Sequence, residues 1–385
     1  MTSAGPVEVR HARYIFWGPR IRQVRELRGW TQAELARRLC ISQPAVAQIE
    51  SGQLRASAEL VNALTLQTGF TAQFFAREPN GVPLGSLLFR GRTRISAAER
   101  RAAHRLGEVA FELASSLREQ LVQPEVRLPR LADLDFPDPP RAAAVARSTL
   151  GLDPEAPVPN LVRALERAGV LVLSVPVAGG RHDAYSFWGG DRLDVPVVVL
   201  FRGVPADRQR FSVAHELGHL VLHRSPTPNV EREAHTFASH LLLPDEAVRR
   251  EFPRPLTLTD VARLKPRWGA SMQAIVMAAE RGGVIDARQK RQLFQQISRR
   301  GWRKLEPSAA VVSPEPPRGL KRMAELLYGK PPDTRRLASD HGLPQRLVDG
   351  LIDHDIVLMS LGEPEPDVEE RPQPAAVVEL RPRSA

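Results

Sequence analysis

The chain has 385 residues, 42% of them hydrophobic and 25% charged, as in an ordinary globular protein with room for two or three domains. No apolar run approaches the ~18 residues of a membrane span, and a single cysteine, Cys40, excludes an internal disulfide or a cysteine-built metal cluster. The formal net charge of +10 favours a polyanionic partner such as nucleic acid, although arginine so far outnumbers lysine that a GC-rich bacterial genome would also account for much of it. Residues 1–20 lack the apolar core of a secretory leader. The expected home is therefore the reducing bacterial cytoplasm, at the nucleoid, without membrane contact.

Residues 1–17 carry no pattern and read as an arm. From Arg20 to about Phe75 the pattern is helical throughout. Ile21, Val24 and Leu27 recur on one face, and Gly29 ends that helix. Thr31 with Glu34 forms a capping box for the next, whose buried face is Leu35, Ala36 and Leu39. Cys40-Ile41-Ser42 is a three-residue turn, with Cys40 expected as a small buried side chain. The following helix, Gln43 to Glu50, turns Val46 and Ile49 inward. Two short helices across such a turn make a helix-turn-helix, whose second helix enters the major groove. The exposed Gln43, Pro44, Ala47 and Gln48 are then candidates for base contacts, since a glutamine amide pairs with adenine N6 and N7. Gln32 is placed for a phosphate. The runs Thr31-Gln32-Ala33-Glu34-Leu35-Ala36 and Ser42-Gln43-Pro44-Ala45-Val46-Ala47-Gln48-Ile49-Glu50-Ser51-Gly52 resemble the Xre/Cro-type repressor domain. That resemblance implies a double-stranded operator, commonly a palindrome bound by a homodimer.

Leu87-Leu88-Phe89-Arg90 precedes a long helix over Ser96 to Leu121, with Ala103, Leu106, Val109, Ala110, Leu113 and Leu117 on one face. It either pairs two protomers or docks the flanking domains. Pro124 to Pro140 reads as a linker. Arg141 to Leu150 and Asn160 to Ala168 are amphipathic helices, and Val170–Val175, Asp183–Trp188 and Val195–Phe201 are strands by their β-branched and aromatic content.

Phe211 to His223 is the stretch richest in chemistry. His215 and His219 lie four residues apart, one turn up the same helix face, where two imidazoles can hold one Zn²⁺. Glu216 completes the H-E-x-x-H arrangement, in which the glutamate is a general base. A third ligand is sought in the helix Val230 to Leu243, stopped by Pro244. Glu233 stands four residues before Phe237, borders the buried face and is the preferred ligand. Glu231 lies nearer the helix start, where the helix dipole favours a negative charge. His223 continues the series as packing or an outer-shell donor, and His235 and His240 read as surface residues. The motif with Glu233-Ala234, Phe237-Ala238 and Leu242-Leu243-Pro244 resembles the ImmA/IrrE family of metallopeptidases. The resemblance extends back over Leu161–Phe201, including Asp183-Ala184-Tyr185-Ser186. It implies a zincin-like fold, zinc held by His215, His219 and the glutamate of the second helix, and cleavage of a regulatory protein. Tyr185 or His182 would stabilise an oxyanion, or simply pack.

Beyond Pro244, helices are expected over Ala262–Lys265, Trp268–Arg281 and Asp286–Arg299, with Trp268–Ile275 resembling a second, short helix-turn-helix. Gly301-Trp302-Arg303-Lys304 and Glu306-Pro307 recur in longer members of the family, and Gly319–Leu351 holds two or three more helices. From Glu363 onward proline, glutamate and arginine dominate, a composition of disorder. The expected fold is mainly α with an α+β core. Its segments are a DNA-binding domain (1–80), connecting helix and linker (81–140), metallopeptidase domain (141–310), helical region (311–362) and tail (363–385). Two functions compete: a DNA-addressed zinc endopeptidase, and a regulator whose zinc pocket is a non-catalytic sensor.

Overall fold

The computed structural model describes residues 15–80, 97–131, 138–178, 183–225, 228–303, 306–307 and 311–356. His182, Leu87–Arg90 and the tail 363–385 lie outside the described residues. The chain opens with α1 (Gly18–Leu27), α2 (Gln32–Arg38), α3 (Gln43–Glu50), α4 (Ala58–Thr68) and α5 (Ala72–Ala76), followed by the long α6 (Ala97–Arg118). Helices α7 (Pro139–Thr149) and α8 (Leu161–Arg167) lead into the strands β1 (Leu171–Ala178), β2 (Ala184–Gly189) and β3 (Val195–Arg202). Then come α9 (Ala206–Leu222), α10 (Val230–Leu242), α11 (Asp245–Glu251), α12 (Leu258–Trp268), α13 (Met272–Arg281) and α14 (Ala287–Arg299). Helices α15 (Gly319–Tyr328), α16 (Thr334–His341) and α17 (Gln345–Ile352) close the described chain. The architecture is mainly α around a small α+β core, as the sequence leads one to expect.

Local chemistry explains the boundaries. The Thr31/Glu34 capping box opens α2, and a second box, Thr257/Asp260, opens α12. Ser42 and Ser57 cap α3 and α4 by accepting from the backbone N–H three residues on. Cys40 departs from expectation: it is exposed, with φ +54. The tight turn between α2 and α3 needs a left-handed residue there, and that conformation aims the side chain at solvent. Helix α11 also went unforeseen, because Pro244, which stops α10, opens the next helix immediately.

The strands form one sheet of order β1-β3-β2, with β1 parallel and β2 antiparallel to β3. Side chains alternate across it. Val172, Ala184, Val198 and Leu200 face a front core built with α7 to α14, whereas Leu173, Tyr185, Phe187, Val197 and Val199 face a back core. That back core is shared with α1 to α6 and α15 to α17. The long α6 docks the N-terminal bundle onto the sheet. Its Glu112 and Arg105 meet Arg20 (2.6 Å) and Glu26 (2.7 Å) of α1. Burial would raise the Glu26 carboxyl pKa, but its bonds from Arg105 and Arg22 outweigh that and lower it. From the other end, Thr71 N–H donates to Gly342 O at 3.0 Å and Arg77 to Asp340 O at 2.8 Å, tying α5 to α16.

The same alternation separates the two readings of Tyr185. Tyr185 points into the back core, its hydroxyl 3.5 Å from His104 O on α6, away from α9. Burial, then the Glu108 charge, holds its pKa well above that of a free phenol. Its role is packing, and it has no access to an oxyanion on the front. Gly107 of α6 leaves the space that the ring fills: a Cβ there would fall 1.6 Å from the Tyr185 hydroxyl. Gly107→Ala, ordinarily stabilising within a helix, is therefore expected to lower the unfolding free energy by about 1–3 kcal/mol, measured by urea denaturation.

Candidate metal centre and DNA-reading helix

Helix α9 packs on the front of the sheet, and α10 packs against α9. They meet most closely at Gly218, where a Cβ would stand 3.1 Å from Ala234 Cα and from the Phe237 ring. That contact fixes the register between the helices. His215 Nε2 and His219 Nε2 lie 3.1 Å apart. The Glu231 carboxylate reaches both, at 3.4 Å from His215 Nε2 and 3.5 Å from His219 Nε2. Burial works to raise the Glu231 pKa, but hydrogen bonding and charge from the two histidines prevail and hold it well below the usual carboxylate range.

Glu233, the ligand expected from the sequence, goes elsewhere. Its Oε2 lies 3.0 Å from His223 Nε2, and His223 Nδ1 lies 3.0 Å from His219 Nδ1. Both glutamates border the buried stripe of Ala234, Phe237, Ala238 and Leu241. Glu231, three residues before Ala234, stands on the rim beside His215. Glu233, four before Phe237, stands on the rim beside His223. Spacing alone left the side open, and the register at Gly218 decides it. Burial, followed by repulsion from His219, pushes the His223 pKa down to about 4, leaving that ring neutral at pH 7. His219, His223 and Glu233 thus form one continuous polar chain behind the donor pair.

Glu216 is fully buried. The Ser186 hydroxyl on β2 donates to its Oε2 at 2.8 Å, with its backbone carbonyl 3.2 Å from the same hydroxyl. Sequence reasoning gave Ser186 no role. Its signal was the alternation of β2, which puts Ser186 on the face opposite Tyr185 and Phe187. His235 is exposed beside Phe211, with ring centroids 5.0 Å apart, and His240 is half-buried against Thr236 O and Asp245.

In the N-terminal bundle Gln43, Pro44 and Gln48 are exposed along α3, and Ala47 is half-buried. Gln43 donates to the Gln32 side-chain oxygen at 3.0 Å, and the Gln32 amide donates to Glu50 at 3.0 Å. Gln32 is thus engaged inside the domain, where it fixes the orientation of Gln43. Glu50 also takes Arg25 through two contacts of 2.5 and 2.9 Å, both side chains being buried. This fork locks α3 against α1.

Residues 21–74 match the family model described as a helix-turn-helix, and residues 165–280 match that of the IrrE N-terminal-like domain, the M78 peptidases. An Xre-type DNA-binding domain precedes an IrrE-like, metallopeptidase-like domain. No curated protein matches the chain. The M78 family is generally zinc-dependent, and the residues here fit that ion. Zinc bonds of roughly 2.0–2.1 Å in a tetrahedron require donors about 3.3–3.4 Å apart, close to the 3.1, 3.4 and 3.5 Å separations of His215, His219 and Glu231. The donor set, two imidazoles and one carboxylate, is of the catalytic zinc type. Glu231 Oε1 is moreover buried with His219 Nε2, at 3.5 Å, as its polar neighbour, so both point into the same donor triangle.

The fork at Glu50 carries a test of its own. Glu50→Gln strands Arg25 in the interior, with only Glu26, at 3.7 Å, left in compensation. A loss of about 3 kcal/mol, the low end for a broken buried pair, is expected in urea unfolding followed by far-UV dichroism.

Proposed function

We propose that this protein is a DNA-binding transcriptional regulator whose IrrE-like domain is a zinc endopeptidase of the bacterial cytoplasm, acting on a partner regulatory protein. The observation that carries this reading is the clustering of His215, His219 and Glu231 at zinc-donor separations beside a buried Glu216. His215, His219 and Glu231 would hold the ion, with Glu233 and His223 orienting His219 from behind. A bound zinc ion supplies Lewis acidity, polarising a peptide carbonyl and acidifying water. Glu216 accepts the proton of the attacking water and returns it to the departing amine. The Ser186 hydroxyl holds the Glu216 carboxylate in one rotamer, so that no reorientation precedes the transfer. The outer edge of β2, unpaired among the described residues, offers main-chain donors and acceptors to an extended substrate.

On the DNA side, Gln43 and Gln48, with Pro44 and Ala47 between them, form the base-reading surface of α3, and Gln32 holds Gln43 in place. A homodimer would set two such helices on the halves of a palindrome. No helix among the described residues is long and apolar enough to cross a membrane.

The purified chain is expected to carry one zinc. Glu231→Ala should lose it, whereas Glu233→Ala should retain it with affinity reduced about 10–100-fold, as read by chelator competition. Metal retained in Glu231→Ala and lost in Glu233→Ala would reverse this assignment. Gln43→Ala is expected to cost about 1–3 kcal/mol at the base contacted and to relax preference there, measured by operator-variant titration at fixed salt. Glu216→Gln separates enzyme from sensor. It should keep zinc and operator binding while partner cleavage falls by about 10²–10⁴. Normal gene induction in a Glu216→Gln strain with full zinc occupancy would make the pocket a sensor.

A further inference from the structure

The contact between α9 and α10 continues past the metal donors. Phe211 stands one turn before His215 and His235 one turn after Glu231, and their rings meet at 5.0 Å. This pair forms the inner wall of a cavity of about 1240 Å³, which begins one helical turn, about 5–6 Å, from the donor set. The volume exceeds the roughly 300–1,000 Å³ of a small-molecule pocket and suits several residues of a polypeptide. Its surface is more apolar than polar: Phe211, Leu242, Met277, Phe294 and Trp302 contribute, and Met277 is 47% exposed. The far wall, carrying Trp302 and Pro307, is fastened down by Glu306, which meets Lys265 at 2.5 Å and accepts from Met272 N–H at 3.0 Å.

Charge narrows the occupant. Most cations lining the cavity are already neutralised: Lys265 by Asp207 and Glu306, Arg281 by Asp245, and Arg208 by Asp183. Arg300 and Arg303 differ. Neither makes an ion pair with a described residue; they lie over the rings of Trp302 (5.5 Å) and Phe294 (6.0 Å), exposed at the rim. Aromatic walls beneath two guanidinium groups that have no carboxylate partner among the described residues select a bulky apolar side chain with carboxylates beside it.

We propose that this cavity is a substrate subsite of the peptidase, which takes an apolar segment of the target protein flanked by aspartate or glutamate. The inference rests on the endopeptidase reading, and binding measured without turnover separates the two. The probes are fluorescein-labelled peptides carrying Phe-Leu between acidic residues, Phe-Leu between lysines, and Ser-Ser between acidic residues. They are titrated by anisotropy against the full-length, zinc-loaded Glu216→Gln chain. The acidic Phe-Leu peptide is expected to bind about ten-fold tighter than either control, the scale of two partly screened ion pairs or one buried side chain. In the Arg300→Glu/Arg303→Glu background, where both changes are at exposed positions, that preference should pass to the lysine peptide while zinc content and unfolding midpoint stay unchanged. Equal binding of the three peptides, or a charge preference that survives the double substitution, overturns the subsite. So does saturable binding of decanoate with no peptide binding, which would make the cavity a receptor for a small amphiphile. Wild-type digestion of a proteome-derived peptide library completes the test. Cuts without acidic and apolar enrichment on one side of the bond sink the subsite and leave the peptidase; peptide binding with the expected preference but no cuts supports the subsite and sinks the peptidase.

Discussion

The close approach of α9 and α10 at Gly218 governs the chemistry of this protein. No side chain fits between that backbone and Ala234, so the helices meet at contact distance in a single register. The contacts that cross between the two helices follow from that register. Glu231 comes beside His215 and His219, Glu233 comes beside His223, and Phe211 comes beside His235. A shift of one helical turn, about 5.4 Å, would part these partners and dissolve the donor triangle. The centre is thus assembled by helix packing, a rigid source of geometry, and no described loop supplies a donor to it.

The three-stranded sheet divides the molecule into two chemical halves. Its front carries the histidines, and its back joins the DNA-reading bundle through α6 and α15 to α17. Adjacent residues of β2 serve opposite halves: Ser186 holds Glu216 on the front, while Tyr185 packs against α6 on the back. The two faces are therefore built on a shared strand, and α6 packs the bundle directly against the back of the sheet. Buried ionic links, Arg20 to Glu112 and Arg105 to Glu26, fasten the bundle to α6. Such pairs contribute little net stability against apolar packing, but they penalise any other docking angle by leaving a charge unpaired.

Polar chains behind the functional side chains recur in both halves. Glu233 and His223 stand behind His219, Ser186 behind Glu216, and Glu50 with Gln32 behind Gln43. Each restricts a side chain that must meet something outside the protein, so its orientation is fixed before the encounter and less freedom is lost on binding.

The sequence by itself determined the strongest local signals. The i, i+4 histidines fall on one helix face, as that spacing requires, and Thr31 with Glu34 caps α2 as read. The β-branched runs became β1, β2 and β3 within a few residues of their expected ends. Local periodicity suffices for such features, because helix and strand geometry relate near neighbours in a fixed way. What required tertiary structure was every choice between equivalents. Glu231 and Glu233 flank the same stripe, and only the packing at Gly218 selects which rim faces the histidines. Tyr185 and Ser186 are adjacent in one strand, and only the placement of α9 and α6 assigns one to chemistry and the other to packing. Cys40 reads as a core residue by its size, yet the turn it must make sends it outward. Periodicity defines faces, but contacts between segments far apart in the chain decide what each face meets.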